Sequence, residues 1–257
     1  MAEVVLVHSF RGGTGKSNTT ANLAITIART GKRVAVIDTD IQSPGIHVLF
    51  GMEQVDSQTT LNQYLWGNCS VEEVAHDVSP DEVKQNRGQV FLLPSSSDAG
   101  DITRILHEGY DVRRLKKGFV SLIKTLNLDY VFVDSHPGLN EETLLCIAVA
   151  NTLVVILRPD RQDFQGTAVM VDLARKLKVP RILMVVNRVM QNSDPEMVRQ
   201  QLEAKYEVPV VGVLPNCDEM MQLASSDLFS LRYPDHPLAQ IYHQVADKVM
   251  TTEALPQ

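Results

Sequence analysis

Near the start of the chain, three glycines, a lysine and a serine crowd into the run Phe10-Arg11-Gly12-Gly13-Thr14-Gly15-Lys16-Ser17. Glycines at 12, 13 and 15 reach backbone conformations closed to other residues, so successive N–H groups can turn toward an anion. Lys16 then reaches terminal phosphates, and the Ser17 hydroxyl is the expected ligand to a magnesium ion. The indicated chemistry is the cradling of a polyphosphate. The strict G-x-x-x-x-G-K-[ST] pattern fails because Phe10 occupies its first glycine position. The run instead reads basic-Gly-Gly-x-Gly-Lys-[ST].

Carboxylates appear at two further places where such a loop needs them. Val34 to Ile37 is followed by Asp38-Thr39-Asp40, and Tyr130 to Val133 is followed by Asp134, with Gly138 four residues later. An aspartate directly behind four apolar strand residues is costly unless it has a partner, and a magnesium nucleotide is the natural one. Asp134 is expected to hold magnesium through water, with Asp38 supporting the ion or the loop. Asp40 is the carboxylate expected to orient or activate an attacking water, and Gly138 can turn its N–H toward a terminal phosphate. The alternative for each aspartate is a helix cap or a solvated turn, where Asp is common. His136 reads as a solvated or supporting residue, because no carboxylate or cysteine pattern marks it as a base or ligand.

These groups must be positioned by elements, and the periodicity supplies them. Val4 to Val7 precedes the glycine run as a short apolar strand. Asn18 to Ala28 follows it with apolar residues at helical spacing, so the loop joins a strand to a helix N-terminus whose partial positive charge favours phosphate. Further strands are predicted at Val90 to Leu93, Leu153 to Leu157, Ile182 to Val186 and Val210 to Val213. Helices are predicted near 59–66, 101–126, 141–150, 165–177, 195–205 and 238–250. Strands apolar on both sides of the pleat imply an α/β fold: one doubly wound, mostly parallel sheet with helices on both faces, over a single domain 1–257. In such folds ligands bind at the carboxyl ends of the strands. The acidic stretch 68–89 reads as a surface connection.

Composition narrows the classes. The chain has 257 residues, 44% hydrophobic and 21% charged, as in a soluble globular protein. It contains no apolar run long enough to span a bilayer and no basic-then-apolar leader, so the cytoplasm is the expected compartment. Three widely spaced cysteines, 69, 146 and 217, without a C-x-x-C pair argue against disulfides and thiolate metal sites. A formal net charge of −7 disfavours bulk attraction to nucleic acid. Basic clusters at 113–117 and 175–178 leave nonspecific DNA binding open, with a solvated helix face as the plainer reading.

Together, Arg11 to Ser17, Asp38 to Asp40, Asp134 to Gly138 and Asn187 within Val185-Val186-Asn187-Arg188 resemble the MinD/ParA group of P-loop ATPases, over essentially the whole chain. The resemblance implies ATP and Mg²⁺ as cofactors. Gly12, Gly13, Thr14, Gly15, Lys16, Ser17, Asn18 and Gly138 would bind phosphate, with Ser17, Asp38 and Asp134 at the metal. Asn187, Arg188 and Pro215 would lie at the adenine. Lys16, Asp40 and Arg11 would act in slow, partner-stimulated hydrolysis. Base choice has its own argument: guanine pockets rely on Asn-Lys-x-Asp, and Asn187-Arg188-Val189-Met190 lacks the acid, which favours ATP.

Two features depart from the group. Arg11 stands where the family has a lysine that reaches the partner's phosphates across a nucleotide-sandwich dimer. Arginine keeps the charge but differs in shape and bonding, so it acts in trans, folds back into an intramolecular salt bridge, or stays solvated. The C-terminal stripe Leu238, Ile241, Tyr242, Val245 and Val249 has too few cations nearby for a lipid-surface helix and reads as core. The resemblance implies an ATP-dependent homodimer acting as a switch, with an unidentified activating or cargo protein and a role in intracellular positioning or partitioning. The alternatives are an ATP-dependent biosynthetic enzyme of the same fold and a nucleotide-binding adaptor with negligible turnover. Electron-transferring iron–sulfur relatives are set aside for want of paired cysteines.

Overall fold

The computed structural model describes residues 2–251. Strand β1 (Glu3–His8) runs through the glycine loop into α1 (Lys16–Ala28), and then come β2 (Arg33–Thr39), α2 (Ile46–Leu49), α3 (Leu61–Trp66), β3 (His76–Asp77), α4 (Asp81–Gln85) and β4 (Gln89–Leu93). The chain continues with α5 (Ala99–Glu108), α6 (Arg113–Thr125), β5 (Tyr130–Ser135), α7 (Glu141–Val149), β6 (Thr152–Leu157), α8 (Arg161–Lys176), β7 (Arg181–Val189), α9 (Pro195–Tyr206) and β8 (Val210–Pro215). It closes with α10 (Asp218–Leu223), α11 (Phe229–Arg232) and α12 (Pro237–Met250).

The strands form one sheet in the order β3-β4-β2-β5-β1-β6-β7-β8, parallel except for the edge strand β3. Alternation along each strand sorts side chains onto two buried faces. Val5, Val7, Val34, Val36 and Phe132 pack with α1 and α12 on one side. Val4, Leu6, Ala35, Ile37, Val131 and Val133 pack with α3, α6, α7 and α8 on the other. The expected doubly wound fold is therefore the observed one. Because β1 lies between β5 and β6, the glycine loop emerges from the middle of the sheet, where the chain's winding changes direction and a crevice opens.

Two expectations need correction. The helix expected over 101–126 is two helices, because Gly109 takes a positive φ of 66° at the end of α5, a conformation that stops a helix. The stretch 68–89 is not wholly irregular: it carries β3 and α4, too short to show a period in the sequence. The C-terminal stripe packs as core, with Leu238, Tyr242, Val245 and Val249 buried. Among the described residues no helix is long and apolar enough to cross a membrane.

Candidate functional site

The glycine loop turns sharply twice, at Gly13 (φ 72°) and Gly15 (φ 94°). Only a residue without Cβ fits at 15. A Cβ there would lie 2.3 Å from Asn187 Nδ2, and Asn187 uses that nitrogen to donate a hydrogen bond to the Thr14 carbonyl at 2.7 Å. Asn187, from the end of β7, thus braces the phosphate loop from behind. One amide proton is engaged there, and its Oδ1 accepts from the Arg188 N–H at 2.8 Å.

Above the loop lies a cleft of about 400 Å³ lined by Gly12, Gly13, Gly15, Lys16, Ser17, Asn18, Asp40, Ser43, His136, Pro137 and Arg188. A second cleft of about 310 Å³ shares Gly15, Asn18 and Arg188 with it, and adds Asn187, Pro215, Asn216, Cys217, Met220, Met221 and Tyr242 among its walls. Polar, glycine-rich walls suit phosphates. The second set of walls mixes apolar side chains such as Pro215, Met220, Met221 and Leu238 with the amides of Asn187 and Asn216, and suits a flat base that also carries polar edges.

The carboxylates gather beside the loop. Asp38 and Asp134 are direct partners in the β2–β5 ladder and both are buried. Asp38 accepts from the backbone N–H groups of Asp40 at 3.0 Å and Gly45 at 3.3 Å. Burial, then the Asp134 charge, holds its carboxyl well above the usual range. Burial likewise pushes Asp134 up to about 6, against the opposing pull of the Ser17 hydroxyl, Lys16 and Thr20. Thr20 Oγ1 lies 3.2 Å from it. Asp40 is also raised, first by burial, with His136 and Lys16 opposing.

A hard divalent cation fits this donor set. Two buried carboxylates side by side with a serine hydroxyl offer only oxygen ligands, and their ionised forms lack a cation within ion-pair distance among the described residues. Ser17, Asp38 and Asp134 would hold it.

Two expected site residues sit elsewhere. Arg11 does not line the phosphate cleft; its Nη1 lies 3.4 Å from both Asp160 Oδ1 and Asp163 Oδ1 at the start of α8. Asp163 also takes hydrogen bonds from the Arg158 backbone N–H at 2.9 Å and Arg158 Nε at 3.2 Å. Phe10, just before, packs onto Gly166 of the same helix, where a Cβ would lie 2.1 Å from its ring. Gly138 gives its N–H to the Ser9 carbonyl at 3.2 Å, so it faces the base of the loop and not the phosphate cleft. Three cations of the basic clusters engage neighbours. Arg113 pairs with Asp111 at 2.8 Å, Arg175 donates to the Tyr206 carbonyl at 2.8 Å, and Lys176 pairs with Asp172 at 2.7 Å.

Sequence reasoning missed Ser43, Pro137 and most of the base cleft. Asn216 and Cys217 directly follow β8, a position that could have flagged them. Met220, Met221 and Tyr242 carried no such signal, because short helices and core stripes look alike in sequence. His136, read from the sequence as a solvated or supporting residue, lines the cleft above the glycine loop.

A central strand, a glycine loop at the head of a buried helix and carboxylates at neighbouring strand ends define a P-loop nucleotide-binding protein. Residues 5–231 match the family model described as the CobQ/CobB/MinD/ParA nucleotide binding domain, and the chain belongs to that family. An uncharacterised ATP-binding protein of Methanocaldococcus jannaschii is 28% identical over 251 residues, 97% of this chain and 88% of the relative. An iron-sulfur cluster carrier protein of Pseudomonas fragi is 27% identical over 256 residues, 95% and 83% of the two chains. The septum site-determining protein MinD of Pyrococcus horikoshii, solved with Mg-ADP, superposes with a TM-score of 0.82 at 21% identity, covering 98% of this chain and 97% of that one.

Proposed function

We propose that this protein binds ATP with magnesium, dimerises on doing so, and hydrolyses the nucleotide to separate again, as a switch in the positioning or partitioning of a cargo. The observation that carries the reading is the pair of clefts meeting at Gly15, Asn18 and Arg188, one suited to phosphates and the other to a base. None of the residues lining the base cleft is acidic, which favours adenine, since guanine recognition calls for a carboxylate acceptor.

Lys16 and the loop N–H groups hold the phosphates, and bound magnesium would neutralise part of their charge. Asp40, 15% exposed at the cleft wall, is placed to orient water. In the reaction the water oxygen bonds to the γ-phosphorus, and the bond to the β,γ-bridging oxygen breaks with its electron pair leaving on ADP. One water proton stays on the new phosphate; the other passes to Asp40 and on to solvent. Arg11 supplies the differential that dimerisation needs: it leaves Asp160 and Asp163 to meet the partner's phosphates.

An iron–sulfur carrier role, the function named for one relative, finds less support. Cys146 is buried in α7, Cys217 is buried in the connection between β8 and α10, and Cys69 lies in the connection after α3. The decisive experiment measures mass and hydrolysis with ATP, ADP and a nonhydrolysable analogue for the wild type, Arg11→Lys and Arg11→Ala. The switch reading requires an ATP-dependent dimer of the wild type; a monomer under every nucleotide overturns it. A phosphorylated or ligated metabolite would move the assignment to a biosynthetic enzyme.

A further inference from the structure

His136 lines the cleft above the glycine loop with one ring nitrogen already engaged. Its Nδ1 lies 2.6 Å from the carbonyl oxygen of Pro137. A carbonyl only accepts, so Nδ1 carries the proton, and in the neutral form of that tautomer Nε2 keeps a lone pair. That nitrogen points toward Asp40, 4.0 Å from Oδ1. Two acceptors at this separation do not bond each other. A molecule with two hydrogens to donate can sit between them, within about 2.8 Å of each.

The surroundings keep this pair in place. Pro137 abuts the phosphate loop, its Cγ 3.8 Å from where a Cβ on Gly12 would be. Asp40 Oδ1 also accepts from the Ser43 N–H at 3.3 Å. Both side chains line the same cleft as Lys16, Gly12 and Gly13, so the space between them opens onto the glycine loop. Lys16 is a donor and cannot take the role of the second acceptor.

We infer that His136 is a catalytic residue that holds the attacking water by accepting a hydrogen bond at Nε2, opposite the carboxylate of Asp40. The inference rests on the proposed ATP hydrolysis and assigns a second group to it. With both hydrogens engaged, the water presents its oxygen lone pairs to the γ-phosphorus, and orientation of this kind raises the rate of the step without strengthening nucleotide binding.

The test compares His136→Phe and His136→Gln in the full chain, reading kcat and KM for ATP alongside ADP affinity by equilibrium binding. Glutamine reaches as far as Nε2 and offers an uncharged acceptor; phenylalanine keeps the bulk without one. The expected result is a kcat about 10- to 100-fold lower for the phenylalanine variant, with KM and ADP affinity within about twofold. The glutamine variant should recover most of the rate. Wild-type kcat in His136→Phe, while Asp40→Ala is inactive, overturns this inference alone. So does a glutamine variant no better than phenylalanine, which would point to a charged His136–Asp40 pair, or a lost rate that tracks lost ADP affinity. A wild type that never turns over ATP removes the hydrolysis reading and the inference together.

Discussion

Asp38 and Asp134 stand directly opposite each other in the β2–β5 ladder, both out of solvent and both held above the usual carboxylate range. Two ionised carboxylates in that position repel each other and have lost their water. A cation placed beside them would relieve a penalty that the free protein carries.

Asp134→Asn should therefore stabilise the nucleotide-free protein. Its folded pKa of about 6 exceeds the ordinary 3.8, so the group favours the native state below that ordinary value and loses this contribution as pH rises through about 6. At about pH 8 the amide avoids the penalty, a gain on the order of 2 kcal/mol. Urea unfolding measures it. The same variant should show little further thermal stabilisation by magnesium and ATP, which separates the binding role from the structural one.

Gly15→Ala should lose ATP binding and cost about 1–3 kcal/mol of stability, from the positive φ and the collision with Asn187. Asn187→Ala removes the collision but not the backbone strain. The double variant should thus be less destabilised than the sum of the singles, as a double-mutant cycle by chemical denaturation would reveal.

Arg11→Ala should leave stability within about 1 kcal/mol of wild type, because its side chain is 38% exposed and its ion pairs are screened. The ATP-dependent dimer should nevertheless disappear in light-scattering measurements. A large loss of stability with dimerisation intact would show instead that the contacts to Asp160 and Asp163 are the purpose of the residue.

His8 should make the protein acid-sensitive. Burial drives its pKa from 6.5 to about 3, and its Nδ1 sits 2.6 Å from Ser135 Oγ. Between those values the unfolded chain takes up a proton that the folded ring refuses, so stability falls as pH drops below about 6.5. His8→Gln should remove up to ~1.4 kcal/mol per pH unit of that slope, visible when unfolding midpoints of the two proteins are compared between about pH 7 and 5.

The parallel sheet and the phosphate loop were legible because their signals are local. Val4 to Val7 and Val34 to Ile37 are unbroken apolar runs, and Gly12 to Ser17 is a pattern that few other structures require. Of the base cleft only Asn187, Arg188 and Pro215 were legible, since its other walls come from β8, α10 and α12, where residues such as Met220 and Tyr242 are chosen for shape alone. An intramolecular salt bridge was one of the readings for Arg11, but its partners were hidden, because Asp160 and Asp163 lie 149 and 152 positions away.

From Thr19 to Ala28 every residue of α1 is buried, gripped by the sheet on one side and α12 on the other. The phosphate loop is thereby welded to the stiffest part of the molecule and acts as a stator. Motion driven by a nucleotide would fall to the connections after β2 and β5, which carry Asp40, Ser43 and His136, the second of them tied to Ser9 by the Gly138 N–H. Sensing the terminal phosphate would then amount to exchanging one weak tether for a stronger one, with the frame unmoved.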